Sequence, residues 1–441
     1  MTAKATTLSD AIDQLRTIAL EIELSSGADL SSIKKLHKVA ESLVALADSF
    51  SFGQSKLVDI KEVWPEDDDR SILNHFNLPI HLGISTENKK LVVDLAKLPS
   101  LLIGGKSGYG KTNLLNSIIS GLARLHSPRE VKFILFDPKC SEFTGYCELP
   151  HLAFQVITEE YKCIYALLSL NREIDRRLKM FASVLCRNIE AFNNRNNVEH
   201  QKAIKDCFGE DYQENKNIPV YTPYIVVVMD EIANLVSRFG DKFIQLIRRL
   251  TSYGRSAGIH LVAATQFAND QSLPFALRDC FRYRIALKTH TEDESYMLVD
   301  SPFATVLCSR GDILIRPDEG EVIRSQSPFL HPHRISEIIE TSKKTYHVSS
   351  APYVTPGITF HSDSSAEKGQ ISKIDDEDLY KGALDVIRVS GKASVSHFQR
   401  QLNIGFNHAN DLVNKLVARG IIEEGDSIGY RKIKGSFEDF L

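Results

Sequence analysis

The sequence predicts an α/β protein. A largely parallel β-sheet lies between helices, a helical hairpin and a short β-rich segment precede it, and a winged helix-turn-helix unit follows. Three observations carry this reading. From residue 101 to about 328, the apolar runs LLIGG, KFILFD, YIVVVMD, IHLVAAT and YRIALKT alternate with amphipathic helical stretches. Continuous Val/Ile/Leu runs mark strands covered on both faces, as in parallel sheets. A glycine-rich turn joins the first strand to the first helix. Residues 374–441 run helix, helix, tight turn, helix and two short strands, which is the winged-helix order.

At 441 residues the chain is too long for one ordinary core. Residues 1–55 show helical spacing, Ile12, Leu15, Ile18 and Ala19 and then Ile33, Leu36, Val39, Leu43 and Leu46, broken at SSGADLSS. Residues 56–100 hold short strands around LPIHLGI and KLVVDL, and residues 101–342 the sheet domain. A polar stretch at 193–218 reads as a surface insertion, and the Ser/Pro/Gly-rich residues 343–373 as a linker.

Composition narrows the classes. A net charge of -4 gives no global signature of a nucleic-acid binder, so any DNA contact must come from local basic patches. The seven cysteines form no C-x-x-C pair and no zinc spacing with histidine, which points to reduced thiols in a cytoplasmic protein. No stretch reaches the roughly 18 to 20 apolar residues that a membrane span needs.

The chemistry is concentrated in GKSGYGKT, residues 105–112. Gly105, Lys106, Ser107, Gly108, Tyr109, Gly110, Lys111 and Thr112 complete the G-x-x-x-x-G-K-[ST] pattern between a strand and a helix. Glycines allow backbone N–H groups to converge on phosphates at the helix's positive end, Lys111 reaches the β- and γ-phosphates, and Thr112 offers a hydroxyl to Mg²⁺. The ligand expected is ATP with Mg²⁺. YIVVVMDE delivers two carboxylates to the sheet edge, Asp230 for the metal shell and Glu231 as the base that polarises water. Gln266, ending HLVAATQ, is placed to sense the γ-phosphate. Asp137, Pro138 and Lys139 end a further strand, where Asp-Pro is equally a common turn starter.

DLAKLPSLLIGGKSGYGKT, FDPKCSEFTGYCELPHL, NREIDRRLKMFASVLCRNIEAFN, PYIVVVMDEIANL, GRSAGIHLVAATQ and SRGDILI, in this order, resemble the FtsK/SpoIIIE family of DNA translocases. The resemblance covers residues 77 to 328 and, through the winged helix, extends to about 434. It implies a RecA-like ATPase motor that assembles as a homo-oligomeric ring of six, threads double-stranded DNA, and fires ATP at subunit interfaces. Arg255 and Arg284 both match family positions for an arginine acting on a neighbour's γ-phosphate, and the sequence leaves both open. Arg278 and Arg282 are expected to grip DNA. After Gln266 the family continues Arg-Pro, whereas this chain has Phe267 and Ala268.

QRQLNIGFNHANDLVNKLVARGIIEE resembles the family's gamma domain, which reads short sequences and orients the motor. Arg400, Asn407, His408, Asn410, Arg431 and Lys432 form its expected DNA face. His408 and Asp411 stand where the family carries arginines, which removes bidentate guanine contacts. The N-terminal hairpin is expected either to dock a protein partner or to brace the motor. A cytoplasmic role in a mobile element, DNA transfer or defence follows from this reading. A secretion-system ring ATPase and a DNA-binding scaffold with little ATPase activity are the competing classes.

Overall fold

The computed structural model describes residues 57–64, 75–208, 218–346 and, in the C-terminal unit, 380, 383–384, 387, 393–402 and 406–423. The expected N-terminal helical hairpin lies outside the described residues, as do Arg431 and Lys432.

Strands β1 (Pro79–Ser85), β2 (Lys90–Asp94), β3 (Ser100–Gly104), β4 (Val131–Phe136), β5 (Tyr224–Met229), β6 (Ile259–Thr265), β7 (Tyr283–Ala286), β8 (Asp312–Arg316) and β9 (Ile323–Gln326) form one sheet. Its order is β2-β1-β9-β8-β7-β3-β6-β5-β4. The five strands predicted from apolar runs make the parallel part, β7-β3-β6-β5-β4, and the remaining four extend it antiparallel. The short β1–β2 hairpin before the phosphate loop therefore does not stand apart, because β1 pairs with β9 and continues the motor sheet.

The helices are α1 (Ile60–Val63), α2 (Lys111–Leu125), α3 (Glu160–Ser183), α4 (Ile189–Asn193), α5 (Val198–Phe208), α6 (Ala233–Phe239), α7 (Asp241–Ala257), α8 (Phe275–Arg278), α9 (Glu292–Val299), α10 (Pro332–Tyr346), α11 (Val395–Leu402) and α12 (Phe406–Ala418). Strand alternation sorts the core into two layers. Ile225, Val227 and Met229 of β5 face Ile164, Leu167 and Leu170 of α3 and Phe243 and Ile247 of α7. Val226 and Val228 face the opposite layer, with Leu114, Ile118 and Leu122 of α2. Each central strand is thus apolar throughout because both of its faces are covered.

Two details differ from expectation. Helix α10 runs through Tyr346, four residues beyond position 342 where the motor was expected to end. The polar stretch at 193–218 is exposed over most of its described residues, as expected, but is also anchored at its start. Arg195 is buried and donates to the carbonyls of Phe192, Pro219 and Val220, and α5 occupies residues 198–208.

The motif NREIDRR has a structural explanation. Arg177 and Glu173 are fully buried and paired at 2.8 Å, and Arg177 Nη1 donates to the carbonyls of Pro223 and Ala257 at 2.9 Å each. One guanidinium thereby joins α3 to the start of β5 and the end of α7. Gly258 follows with φ +73°, and a Cβ there would lie 2.1 Å from Ile189 Cδ1, so only glycine turns this corner into β6.

In the C-terminal unit, Tyr380, Ala383, Ile387, Phe398, Leu412, Val413, Leu416 and Ile421 share a small core.

Burial holds the imidazoles of His81, His151 and His260 down to a pKa of about 4. Their folded-state values lie below the unfolded value near 6.5, so the stability they contribute is complete above pH 6.5 and is lost as pH falls toward 4. Thermal melts across this window should show stability declining by up to about 1.4 kcal/mol per pH unit for each histidine, and His260→Gln should flatten the slope.

Candidate functional site at the carboxyl edge of the sheet

The parallel register of β3, β6 and β5 builds the site. Gly104 lies level with Thr265, and Met229 with Ala263, so the phosphate loop, Gln266 and the two carboxylates leave the sheet side by side. The phosphate loop is held from both sides. Gly105 N donates to Thr265 O at 3.3 Å and Lys106 N to Lys288 O at 2.7 Å. Gly105 and Gly110 have φ of +142° and +107°, and Gly110 is the N-cap of α2. A Cβ on Gly105 would sit 2.9 Å from Leu287, so side chains are excluded where backbone must approach a ligand.

Lys111 opens α2 with its side chain only 5% exposed, and Glu231 Oε2 lies 4.0 Å from its Nζ. Glu231 accepts from Ala233 N at 3.2 Å through Oε1 and from Gln266 N at 3.1 Å through Oε2. Asp230 is equally buried. Burial pushes its carboxyl up to about 6, with Glu142, Glu231 and Asp137 adding to the push and Lys111 opposing it. Burial likewise lowers the Lys111 ammonium, against the pull of Glu231 and Asp230. Lys111 Nζ, Asp230 Oδ1 and Asp137 Oδ1 are buried without a hydrogen-bond partner. Buried polar atoms of this kind are ordinarily satisfied. An ammonium and two carboxylate oxygens left open at one sheet edge fit a polyphosphate and a hard divalent cation. Thr112 is half-buried in the first turn of α2, beside this edge.

Two contributors were not assigned from sequence. Gly311, within SRGDILI, donates its N–H to Tyr109 O at 2.8 Å, so the loop before β8 buttresses the phosphate loop. The signal was present in the quoted motif, but its role depends on β8 and β9 folding back beside β7. Asp137 is the second. Its Oδ2 accepts from Glu142 N at 2.8 Å and Phe143 N at 2.9 Å, which ties the loop after β4 to the sheet.

The remaining expected residues are dispersed. Arg284 is paired within its own chain: its side chain is 8% exposed and lies 2.7 Å from Asp300 Oδ2, and its Nη1 donates to Met297 O at 2.9 Å. Arg255 is exposed at the end of α7, and its Nη1 donates to Lys97 O at 3.5 Å. It sits at the amino edge of the sheet, about 20 Å from its own phosphate loop by the rise of the seven-residue β6. Arg278 and Arg282 line a cleft of about 1010 Å³ that also contains Asp279, Glu294, Asp300 and Asp318. Arg282 is 3.8 Å from Asp318, and Arg278 lies over the exposed Phe275 ring at 5.6 Å. Six carboxylates against four arginines make this cleft acidic on balance and not a basic groove. Arg400 lies on α11, and Asn407, His408 and Asn410 on α12, with Asn410 half-buried.

The FtsK/SpoIIIE family profile matches residues 67–270, and that of the Ftsk gamma domain matches residues 374–435. This chain belongs to the FtsK/SpoIIIE family. It is similar to the DNA translocase FtsK of Rickettsia typhi, 32% identical over 383 residues, which cover 84% of this chain and 50% of that protein. The DNA translocase FtsK of Leptospira interrogans is 33% identical over 347 residues, covering 78% of this chain and 34% of its own. The chain thus spans half or less of these two relatives. Among solved structures, the cytoplasmic domain of the Thermomonospora curvata Type VII secretion ATPase EccC superposes with a TM-score of 0.50. It is 22% identical and covers 65% of this chain and 32% of its own, a likeness of fold. The fold is that of phosphate-loop ATPases, with a winged-helix gamma domain at the C-terminus. Among the described residues no helix is long and apolar enough to cross a membrane.

Asp137→Ala leaves two backbone N–H groups near the buried Phe143 without an acceptor. Denaturant unfolding should show a loss of about 2 to 4 kcal/mol, with a smaller loss for Asp137→Asn.

Proposed function

We propose that this chain is an ATP-driven translocase of double-stranded DNA, active as a homo-oligomeric, six-membered ring. The observation that carries the reading is the convergence of Lys111, Asp230, Glu231 and Gln266 at one sheet edge, in a chain of this family that also has a gamma domain. Lys111 and the backbone N–H groups of residues 105–112 bind the phosphates of ATP. Thr112 and Asp230 would hold Mg²⁺, which would neutralise phosphate charge. Glu231 takes the proton of the attacking water. Gln266 couples the phosphate's departure to Glu231 through the backbone hydrogen bond of 3.1 Å between them.

Arg255 is the arginine that acts on the neighbouring subunit's nucleotide. Its exposure and its position at the opposite edge from its own site support this assignment over Arg284. Arg278 and Arg282 contact the duplex, alongside a gamma domain whose α12 approaches DNA through Asn407, His408 and Asn410, with Arg400, Arg431 and Lys432 flanking. The winged helix and the gamma-domain match favour DNA over a secreted protein as cargo. A soluble, cytoplasmic motor serving a mobile element, DNA transfer or defence, recruited through its N-terminal segment, is the setting this reading implies.

A triplex-displacement assay on linear duplex DNA tests the central claim. Wild type should displace the third strand with ATP, and Lys111→Ala should lower displacement and DNA-stimulated hydrolysis at least a hundredfold. Hydrolysis without displacement overturns the proposal. The two arginines separate by a different measurement. Arg255→Ala should abolish hydrolysis with an unchanged melting temperature, and mixing it with Lys111→Ala subunits should restore activity in part. Arg284→Ala should destabilise the fold by about 1 to 2 kcal/mol, because the Met297 carbonyl loses its donor while Asp300, half exposed, keeps Arg316.

A further inference from the structure

Glu231 has a second ammonium partner, which the site as described does not use. Lys139 Nζ lies 3.8 Å from Glu231 Oε2, the same oxygen that Lys111 approaches at 4.0 Å and that accepts the Gln266 N–H. The two lysines differ in freedom. Lys111 is 5% exposed at the base of a helix, whereas Lys139 is 39% exposed on the loop after the edge strand β4.

That loop is built to aim Lys139. Asp137 accepts two N–H groups from residues 142 and 143, and Cys140 N closes a turn onto Asp137 O at 3.0 Å. Phe143 and Tyr146 bury the far end. Between them Cys140 adopts φ +54°, the left-handed region that non-glycine residues enter at a cost. Such a conformation persists only where its surroundings over-determine it, and here it sets the ammonium against Glu231.

A carboxylate that accepts two N–H bonds and is flanked by two ammonium groups at 3.8 and 4.0 Å is stabilised as the anion and is a poor base toward water. The γ-phosphoryl group of a nucleoside triphosphate carries more negative charge than one carboxylate and competes for both ammonium groups. We propose that Lys139 is a positioning residue that restrains Glu231 while the γ-phosphate position is empty. It exchanges the carboxylate for γ-phosphate oxygens when a triphosphate binds, so that a diphosphate does not free the base. This rests on the reading above that Lys111 and Glu231 form an ATP-hydrolysing site.

The test compares Lys139→Met and Lys139→Arg in the full chain. Fluorescence titration gives the affinity for ADP and for a non-hydrolysable ATP analogue, and steady-state hydrolysis gives kcat and KM. Lys139→Met should leave ADP affinity within twofold of wild type, reduce the preference for triphosphate over diphosphate about tenfold, and lower kcat at least tenfold. Lys139→Arg should restore the preference to within threefold. An unchanged preference in a folded Lys139→Met protein overturns the proposal, and so does a parallel loss of ADP and triphosphate binding, which marks a purely structural loop. If Lys139→Met does not fold, Lys139→Gln keeps the length and polarity of the side chain and must show the same selective loss. Hydrolysis that survives Lys111→Ala overturns instead the reading on which this proposal rests.

Discussion

Burying an ammonium group beside two carboxylates is the constraint around which this motor is organised. Lys111, Asp230 and Glu231 each have 5% exposure or less, and charges so placed are tolerated only when paired and hydrogen-bonded. The fold meets that requirement by register. Strand β6 lies between β3 and β5, so the backbone N–H of Gln266 reaches Glu231 while Lys111 approaches from the other side. The pairing stays incomplete, with polar atoms of Lys111, Asp230 and Asp137 open. A fold that leaves such groups open at the end of its sheet is poised for a charged ligand and does not gain its stability there.

Stability is supplied elsewhere, by networks that the site does not share. The fully buried Glu173–Arg177 pair fixes α3 to Pro223, at the beginning of the strand that ends in Asp230. The same guanidinium holds Ala257, at the corner that presents Arg255. One buried ion pair therefore sets both the position of the metal-side strand and the exit of α7. On the opposite side of the phosphate loop, Asp312 pairs with Arg324 at 2.6 Å and steadies the start of β8, where Gly311 meets Tyr109.

Much of this was legible locally. The five apolar runs became the parallel strands, because a strand covered on both faces leaves an uninterrupted pattern, and the phosphate loop fell between strand and helix as its glycines require. Residues whose roles depend on tertiary return were less visible. Gly311 follows Tyr109 by two hundred residues and reaches it only because β8 and β9 fold back in antiparallel pairing. Arg284 matched a family position, yet sequence cannot register that Asp300, a turn of helix beyond Met297, comes back to neutralise it. In the same way the arginines at 278 and 282 read as basic in sequence, and only the fold surrounds them with Asp279, Asp318 and Glu294.

That last arrangement bears on how force would reach DNA. A uniformly basic groove holds a duplex strongly and releases it slowly, because each phosphate contact contributes to an additive, salt-dependent affinity. A motor must also let go. Arg282 sits 3.8 Å from Asp318, and the acidic first turn of α9, Glu292, Asp293 and Glu294, borders the same cleft. In the proposed translocase, carboxylates lining the cleft would compete with duplex phosphate for its arginines, so grip and release would be a small rearrangement between two ionic states. Phe267 is exposed directly after the Gln266 whose N–H Glu231 accepts, so along the chain an apolar ring stands between that carboxylate and the cleft residues that begin at Ala268. Phe267 thus lies on the segment linking the carboxylate to the cleft, where a substitution touches neither the Lys111–Glu231 pair nor the cleft arginines.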